Sequence, residues 1–109
     1  MDENLVCISE CLKKFSFVRE GWLFGSHAYG TPHSDSDVDL CVVVDNAAFN
    51  NNNYGDVRLS ISQATGFKYD IDLVMLEEGQ VKDRSCRKDL VFYDIFHKGI
   101  RFHFAEVHQ

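Results

Sequence analysis

The sequence predicts an α/β (α+β) sandwich, a small mixed β-sheet with helices packed on it, and three observations point there. Two β-branched apolar runs, Val38–Val44 and Tyr69–Leu76, read as buried strands. Stretches with helical periodicity precede the first run and follow the second. The chain of 109 residues suits a single domain over 1–109, and 45% apolar and 13% aromatic residues suffice for a real core.

The elements follow in order. Leu5, Ile8, Leu12 and Phe15 recur at helical spacing, with Glu10, Lys13 and Lys14 on other faces, so residues 2–15 form an amphipathic helix. Val18–Phe24 is apolar and aromatic and runs into Gly25, which suits a short strand ending in a turn. Residues 26–36, rich in Gly, Ser, Thr, Pro and Asp, read as a loop. Val38–Val44 is the strongest strand. Asp45–Gly55 carries five asparagines, four of them consecutive at Asn50–Asn53, and reads as a surface loop. Residues 56–65 fit both periods: Val57, Leu59 and Ile61 alternate, while Val57, Ile61 and Ala64 keep a helical stripe. Gly66 as a C′ residue before another strand favours helix. Tyr69–Leu76 is the next strand, residues 82–98 a helix ending before Gly99, and Ile100, Phe102 and Phe104 alternate as a last short strand.

Composition excludes several classes. No apolar run approaches the roughly 20 residues that cross a bilayer, so no membrane association is expected. The start Met1-Asp2-Glu3 lacks a signal peptide's basic region. Together with the four cysteines Cys7, Cys11, Cys41 and Cys86, this implies free thiols in a reducing cytoplasm. Cys7 and Cys11 share a helix face, but no second pair completes a zinc site. A net charge of −6 disfavours direct, non-specific nucleic-acid binding.

The chemistry lies in the placement of the acids. Asp37 and Asp39 occupy i and i+2 at the start of one strand, so both side chains leave the same face; Asp70 and Asp72 repeat the arrangement on another. If those strands are neighbours, three or four carboxylates converge. Two carboxylates about 4 Å apart repel by roughly 4 kcal/mol at an effective dielectric near 20. Such a cluster calls for cations, and an oxygen-only donor set selects Mg²⁺ or Mn²⁺ over zinc. Gly25-Ser26, directly after a strand, offers backbone amides and a hydroxyl to phosphate oxygens. A phosphate cradle beside metal-binding carboxylates is a site for a metal–nucleotide complex, in which two cations align an in-line displacement at phosphorus.

Other motifs fail on the letters. Gly25–Thr31 has P-loop-like spacing without the lysine, Thr31 following Gly30 directly. An EF-hand opening at Asp35 wants Gly and Glu where Leu40 and Asn46 stand. Asp35 is read as capping a turn. His33, His97, His103 and His108 are read as surface residues, and Trp22, Phe24, Tyr93 and Phe96 as packing.

Gly25-Ser26, ten intervening residues and Asp37-Val38-Asp39-Leu40 resemble the GSx10DxD signature of the DNA polymerase β-like nucleotidyltransferase superfamily. The stretch GSHAYGTPHSDSDVDLCVVV is similar to its G-S-x-A-x-G-x5-S-D-x-D-L form. Ile71-Asp72-Leu73-Val74 looks like the strand of the third carboxylate, and Ile95–His103 resembles the closing helix–Gly–strand, so that the likeness covers residues 15–104. The short length resembles the minimal (MNT) members, which lack the extra domains of poly(A), CCA-adding and aminoglycoside-modifying relatives.

The resemblance implies a nucleotidyltransferase fold and a Mg²⁺-dependent transfer of AMP from ATP to a hydroxyl. Asp37, Asp39 and Asp72 would be the catalytic and metal-binding residues for two Mg²⁺ ions, with Asp72 helping to activate the acceptor. Gly25 and Ser26 would bind the β- and γ-phosphates. His27 is a further candidate nucleotide contact. Asp70 is read as supporting or solvent-facing. Minimal members are often antitoxins that adenylylate a tyrosine of a helical HEPN ribonuclease toxin, which implies such a toxin as partner and a hetero-oligomer with it. His27 and Tyr29 depart from the G-S-R-A-R-G run frequent in antitoxins, and an imidazole grips phosphate less firmly than a bidentate guanidinium. Two alternatives remain open at this stage: a non-catalytic antitoxin that neutralises its partner by contact, and transfer to a small molecule.

Overall fold

The computed structural model describes residues 2–25, 37–85 and 91–102. Helix α1 (Asp2–Lys13) leads into strand β1 (Val18–Phe24), followed by β2 (Val38–Val44) and helix α2 (Asn51–Ala64). Strand β3 (Ile71–Glu77), helices α3 (Glu78–Ser85) and α4 (Val91–Lys98) and strand β4 (Ile100–Arg101) complete the order. The strands form one mixed sheet in the order β3-β2-β1-β4. β1 runs antiparallel to β2 and β4, and β2 runs parallel to β3. A parallel neighbour needs a crossover, and α2 supplies it.

Both faces of the sheet are covered, which is why β2 can be apolar almost throughout. On one face Val38, Leu40, Val42 and Val44 join Leu23, Ile71, Leu73 and Met75 against Ile8, Cys11 and Leu12 of α1 and Val57 and Ile61 of α2. On the other, Phe24, Cys41 and Leu76 pack with Ile95, and Trp22, Val74, Val81 and Phe96 flank them. Trp22 and Phe96 meet edge to face, their ring centroids 5.4 Å apart. The sandwich is therefore three layers deep, with α1 and α2 behind the sheet and α3 and α4 in front.

Three expectations need correction. The asparagine run is not all loop: Asn50, in extended backbone, caps α2 by accepting a hydrogen bond from the Asn53 N–H, and the helix begins at Asn51. The helix expected over 82–98 begins earlier, at Glu78, and comprises two helices either side of 86–90, which lie outside the described residues. The Gln80 side chain accepts from the Glu77 N–H and secures the first turn of α3. The first helix ends at Lys13 rather than at residue 15: Lys14 and Phe15 donate to the carbonyls of Cys11 and Leu12, a tightened last turn, and Phe15 packs beside Phe17.

The strand expected over Tyr69–Leu76 runs from Ile71 to Glu77, and Val18–Phe24 and Val38–Val44 stand as expected. Of the last expected strand, Ile100 and Arg101 pair with β1, the Phe102 N–H donates to Gly21 O, and Phe104 lies outside the described residues. Cys7, Cys11 and Cys41 are free thiols. Among the described residues no helix is long and apolar enough to cross a membrane.

Candidate active site

Strand register brings the acids together. Because β2 and β3 are parallel and start level with one another, Asp39 and Asp72 are direct partners across the pair. Neighbouring strands lie about 4.8 Å apart, so two carboxylates at one register position and on one face are close neighbours. Strand alternation puts Asp39 on the face of Cys41 and Asp72 on that of Val74, both members of the front cluster. The acids thus stand at the start of the strands on the face that carries α3 and α4 further along. Asp72 is exposed and Asp39 half-buried.

On its other side, Asp39 has Phe24, the last residue of β1, as its antiparallel partner. The next residue, Gly25, turns with φ +73°, in the left-handed region. It lies directly against Asp39: a β-carbon there would overlap the carboxylate oxygen Oδ2 and stand 2.9 Å from Asp39 Cγ. Only a residue without a side chain lets the turn after β1 approach this carboxylate. Besides the phosphate contact that the resemblance implies for its backbone, Gly25 makes room for Asp39.

Asp37 precedes β2 and is exposed. Asp70 precedes β3, and its carbonyl accepts from the Val38 N–H at 2.9 Å, closing the β2–β3 ladder at the acid end. Its own side chain is exposed. Ser26, His27 and Asp35 lie outside the described residues. Among the described residues no three His, Cys, Asp or Glu side chains gather closely enough to hold a metal ion. The two carboxylates that share a register position, Asp39 and Asp72, have the hard-oxygen chemistry that suits a magnesium-like cation.

Further along the strands the face that carries the acids is apolar. Cys41, two residues along β2, is fully buried, and desolvation pushes its thiol up to about 12, with the Glu20 charge adding to the shift. It is a packing residue, not a nucleophile. From behind, the Tyr54 hydroxyl of α2 donates to the Leu73 carbonyl at 2.9 Å and ties β3 down next to Asp72. Periodicity could not show this contact, because a lone tyrosine on a helix carries no sequence mark of its partner. A cavity of about 440 Å³ lies on the far side of the molecule, lined by Val6, Cys7, Cys11, Ser60 and Ala64, and has no part in the acid site.

No curated protein matches the chain. Solved structures do resemble it. A toxin–antitoxin crystal structure with AMP-PNP superposes with a TM-score of 0.67 at 19% identity, covering 94% of this chain and 75% of that one. A mutant of the toxin–antitoxin MntA–HpeT gives 0.62 at 20% identity, with 94% and 74% covered. A structure assigned as a nucleotidyltransferase from Sulfolobus solfataricus gives 0.51 at 22% identity, with 97% and 88% covered. At these identities the likeness is one of fold, and it agrees with the mixed four-stranded sheet. The nucleotidyltransferase domain model matches residues 7–107, nearly the whole chain, and the chain belongs to that family.

Proposed function

We propose that this nucleotidyltransferase moves AMP from ATP to a hydroxyl of a partner protein, and that the acceptor is a tyrosine of a HEPN-type toxin for which the chain is the antitoxin. The observation that carries the reading is the register pairing of Asp39 with Asp72 beside Gly25. Two carboxylates brought to one register position on one face of the sheet repel each other, and a bound cation would offset that repulsion. The toxin–antitoxin neighbours, one crystallised with AMP-PNP, favour a nucleotide and a protein partner.

In this reading Asp37, Asp39 and Asp72 would hold two Mg²⁺ ions, which would supply charge neutralisation for the triphosphate. Gly25 and Ser26 would bind the β- and γ-phosphates, with His27 a further candidate contact. The acceptor oxygen forms a bond to the α-phosphorus. The bond from that phosphorus to the oxygen bridging to the β-phosphate breaks, and pyrophosphate leaves with the electron pair. Asp72 receives the hydroxyl proton. The sheet contributes orientation, since register fixes the backbone positions of Asp39 and Asp72 relative to one another. We place the protein in the cytoplasm, where ATP is supplied.

Incubation with α-labelled ATP, Mg²⁺ and the protein encoded beside this chain tests the reading. Label on the partner, lost in Asp37→Ala and Asp72→Asn, supports it. Neutralisation of the partner that survives both substitutions without label transfer replaces it with a contact-only antitoxin.

A further inference from the structure

The chain enters β3 through residues 65–70, at the end of the sheet that carries the acids. Helix α2 closes there in a Schellman turn: Gly66 N–H donates to Gln63 O at 3.0 Å and Phe67 N–H to Ser62 O at 2.8 Å. Gly66, with φ +68°, is the ordinary residue for the left-handed step. Phe67 repeats that step with φ +58°, in a region that crowds any bulky side chain. A residue at this place in the turn commonly packs back onto the helix residue it is bonded to, but here that residue is Ser62. Phe67 stays 66% exposed, more than any other large hydrophobic among the described residues.

The fold therefore keeps a phenylalanine where glycine or asparagine would sit with less strain, and buries little of the ring. Such a residue is not explained by the stability of this chain alone, and strained positions of this kind gather at working surfaces. The place is specific. Asp72 follows Phe67 by five positions, at most about 18 Å of extended chain. Lys68 and Asp70, both exposed and charged, follow Phe67 in the same short connection, so that the apolar residue stands in a polar stretch of surface. Phe49, also exposed, differs on each count: its φ is not positive, and its N–H is bonded to Glu77 at the opposite end of β3.

We propose that Phe67 is the anchor by which the acceptor protein docks over the acid end of the sheet, its ring entering an apolar pocket on that protein. The inference rests on the reading that the acceptor is a protein. A small-molecule acceptor has no need of an exposed aromatic contact outside the acid site itself. Rigid aromatic side chains in polar surroundings are the usual centres of binding energy at protein interfaces.

The test uses the full chain and the protein encoded beside it, with Phe67→Asn and Phe67→Tyr. Asparagine tolerates the left-handed backbone, so Phe67→Asn keeps or raises Tm and leaves ATP affinity unchanged. Its Kd for the partner, measured by calorimetry without nucleotide, rises at least tenfold, and KM for the partner in label transfer rises with it while kcat holds. Phe67→Tyr, which keeps the ring, stays within about threefold of wild type. A Phe67→Asn chain that binds and labels the partner like wild type overturns the inference and leaves the transfer reaction intact. A wild-type chain that binds the partner but transfers no label overturns the underlying reading instead, and one that does not bind it overturns both.

Discussion

Gly25 lies against the carboxylate of Asp39, so closely that no β-carbon fits between the turn after β1 and the acid at the start of β2. The same glycine needs a positive φ. Gly25→Ala therefore meets two obstacles, a clash with Asp39 and a strained backbone, and the turn or the carboxylate must move. We expect a loss of about 1–3 kcal/mol in urea unfolding and a fall of at least a hundredfold in nucleotidyl transfer, since small displacements at a reacting centre are costly. A variant with wild-type transfer would show that the close approach is incidental.

Gly99 presents a second close approach, between the end of α4 and β1. A β-carbon there would overlap the Ile95 carbonyl oxygen and lie 2.9 Å from Leu23 O, and both are backbone atoms that cannot swing aside. Gly99→Ala should lower stability by about 2 kcal/mol, read as a reduced urea midpoint with unchanged m.

Tyr54 fastens the crossover helix to the edge strand through one hydrogen bond to Leu73 O. Tyr54→Phe removes only the hydroxyl and leaves a half-buried carbonyl without it, which should cost about 1 kcal/mol. Hydrogen exchange should quicken along β3 more than along β1. Uniform exchange across the sheet would deny the strand-specific role.

The buried Cys41 thiol offers a pH test. Its folded-state value lies near 12 against an ordinary 9.0, so the folded chain holds the proton that the unfolded chain releases. The contribution to stability is complete below pH 9 and is lost as pH rises from 9 toward 12. Denaturant melts at pH 8 and pH 10 should show a smaller loss for Cys41→Ala than for wild type. Under native conditions at pH 8, iodoacetamide should modify the exposed Cys7 and spare Cys41.

What the sequence made legible, and what it hid, follows from the physics of each segment. Val38–Val44 declared itself because a strand covered on both faces must be apolar at nearly every position. The spacing of Asp37, Asp39 and Asp72 was equally plain, but not that Asp39 and Asp72 would be register partners, since pairing is a property of two strands at once. The asparagine run misled because Asn favours turns by propensity, and its capping role shows only once the helix behind it exists. Glu78 gave no sign of a helix start because α3 follows β3 directly and Gly79, in its first turn, reads as a break. Phe67 gave no warning either, since a positive φ on a bulky residue is set by the helix ending before it.

The central claim is that Asp39 and Asp72 act as one divalent-cation site for the triphosphate. Titrating Mn²⁺ into the chain with a non-hydrolysable ATP analogue, followed by electron paramagnetic resonance, tests it most directly. The account predicts nucleotide-dependent Mn²⁺ binding in wild type, weakened at least tenfold in both Asp39→Asn and Asp72→Asn with the fold retained by circular dichroism. Equal Mn²⁺ binding by wild type and Asp72→Asn would contradict it.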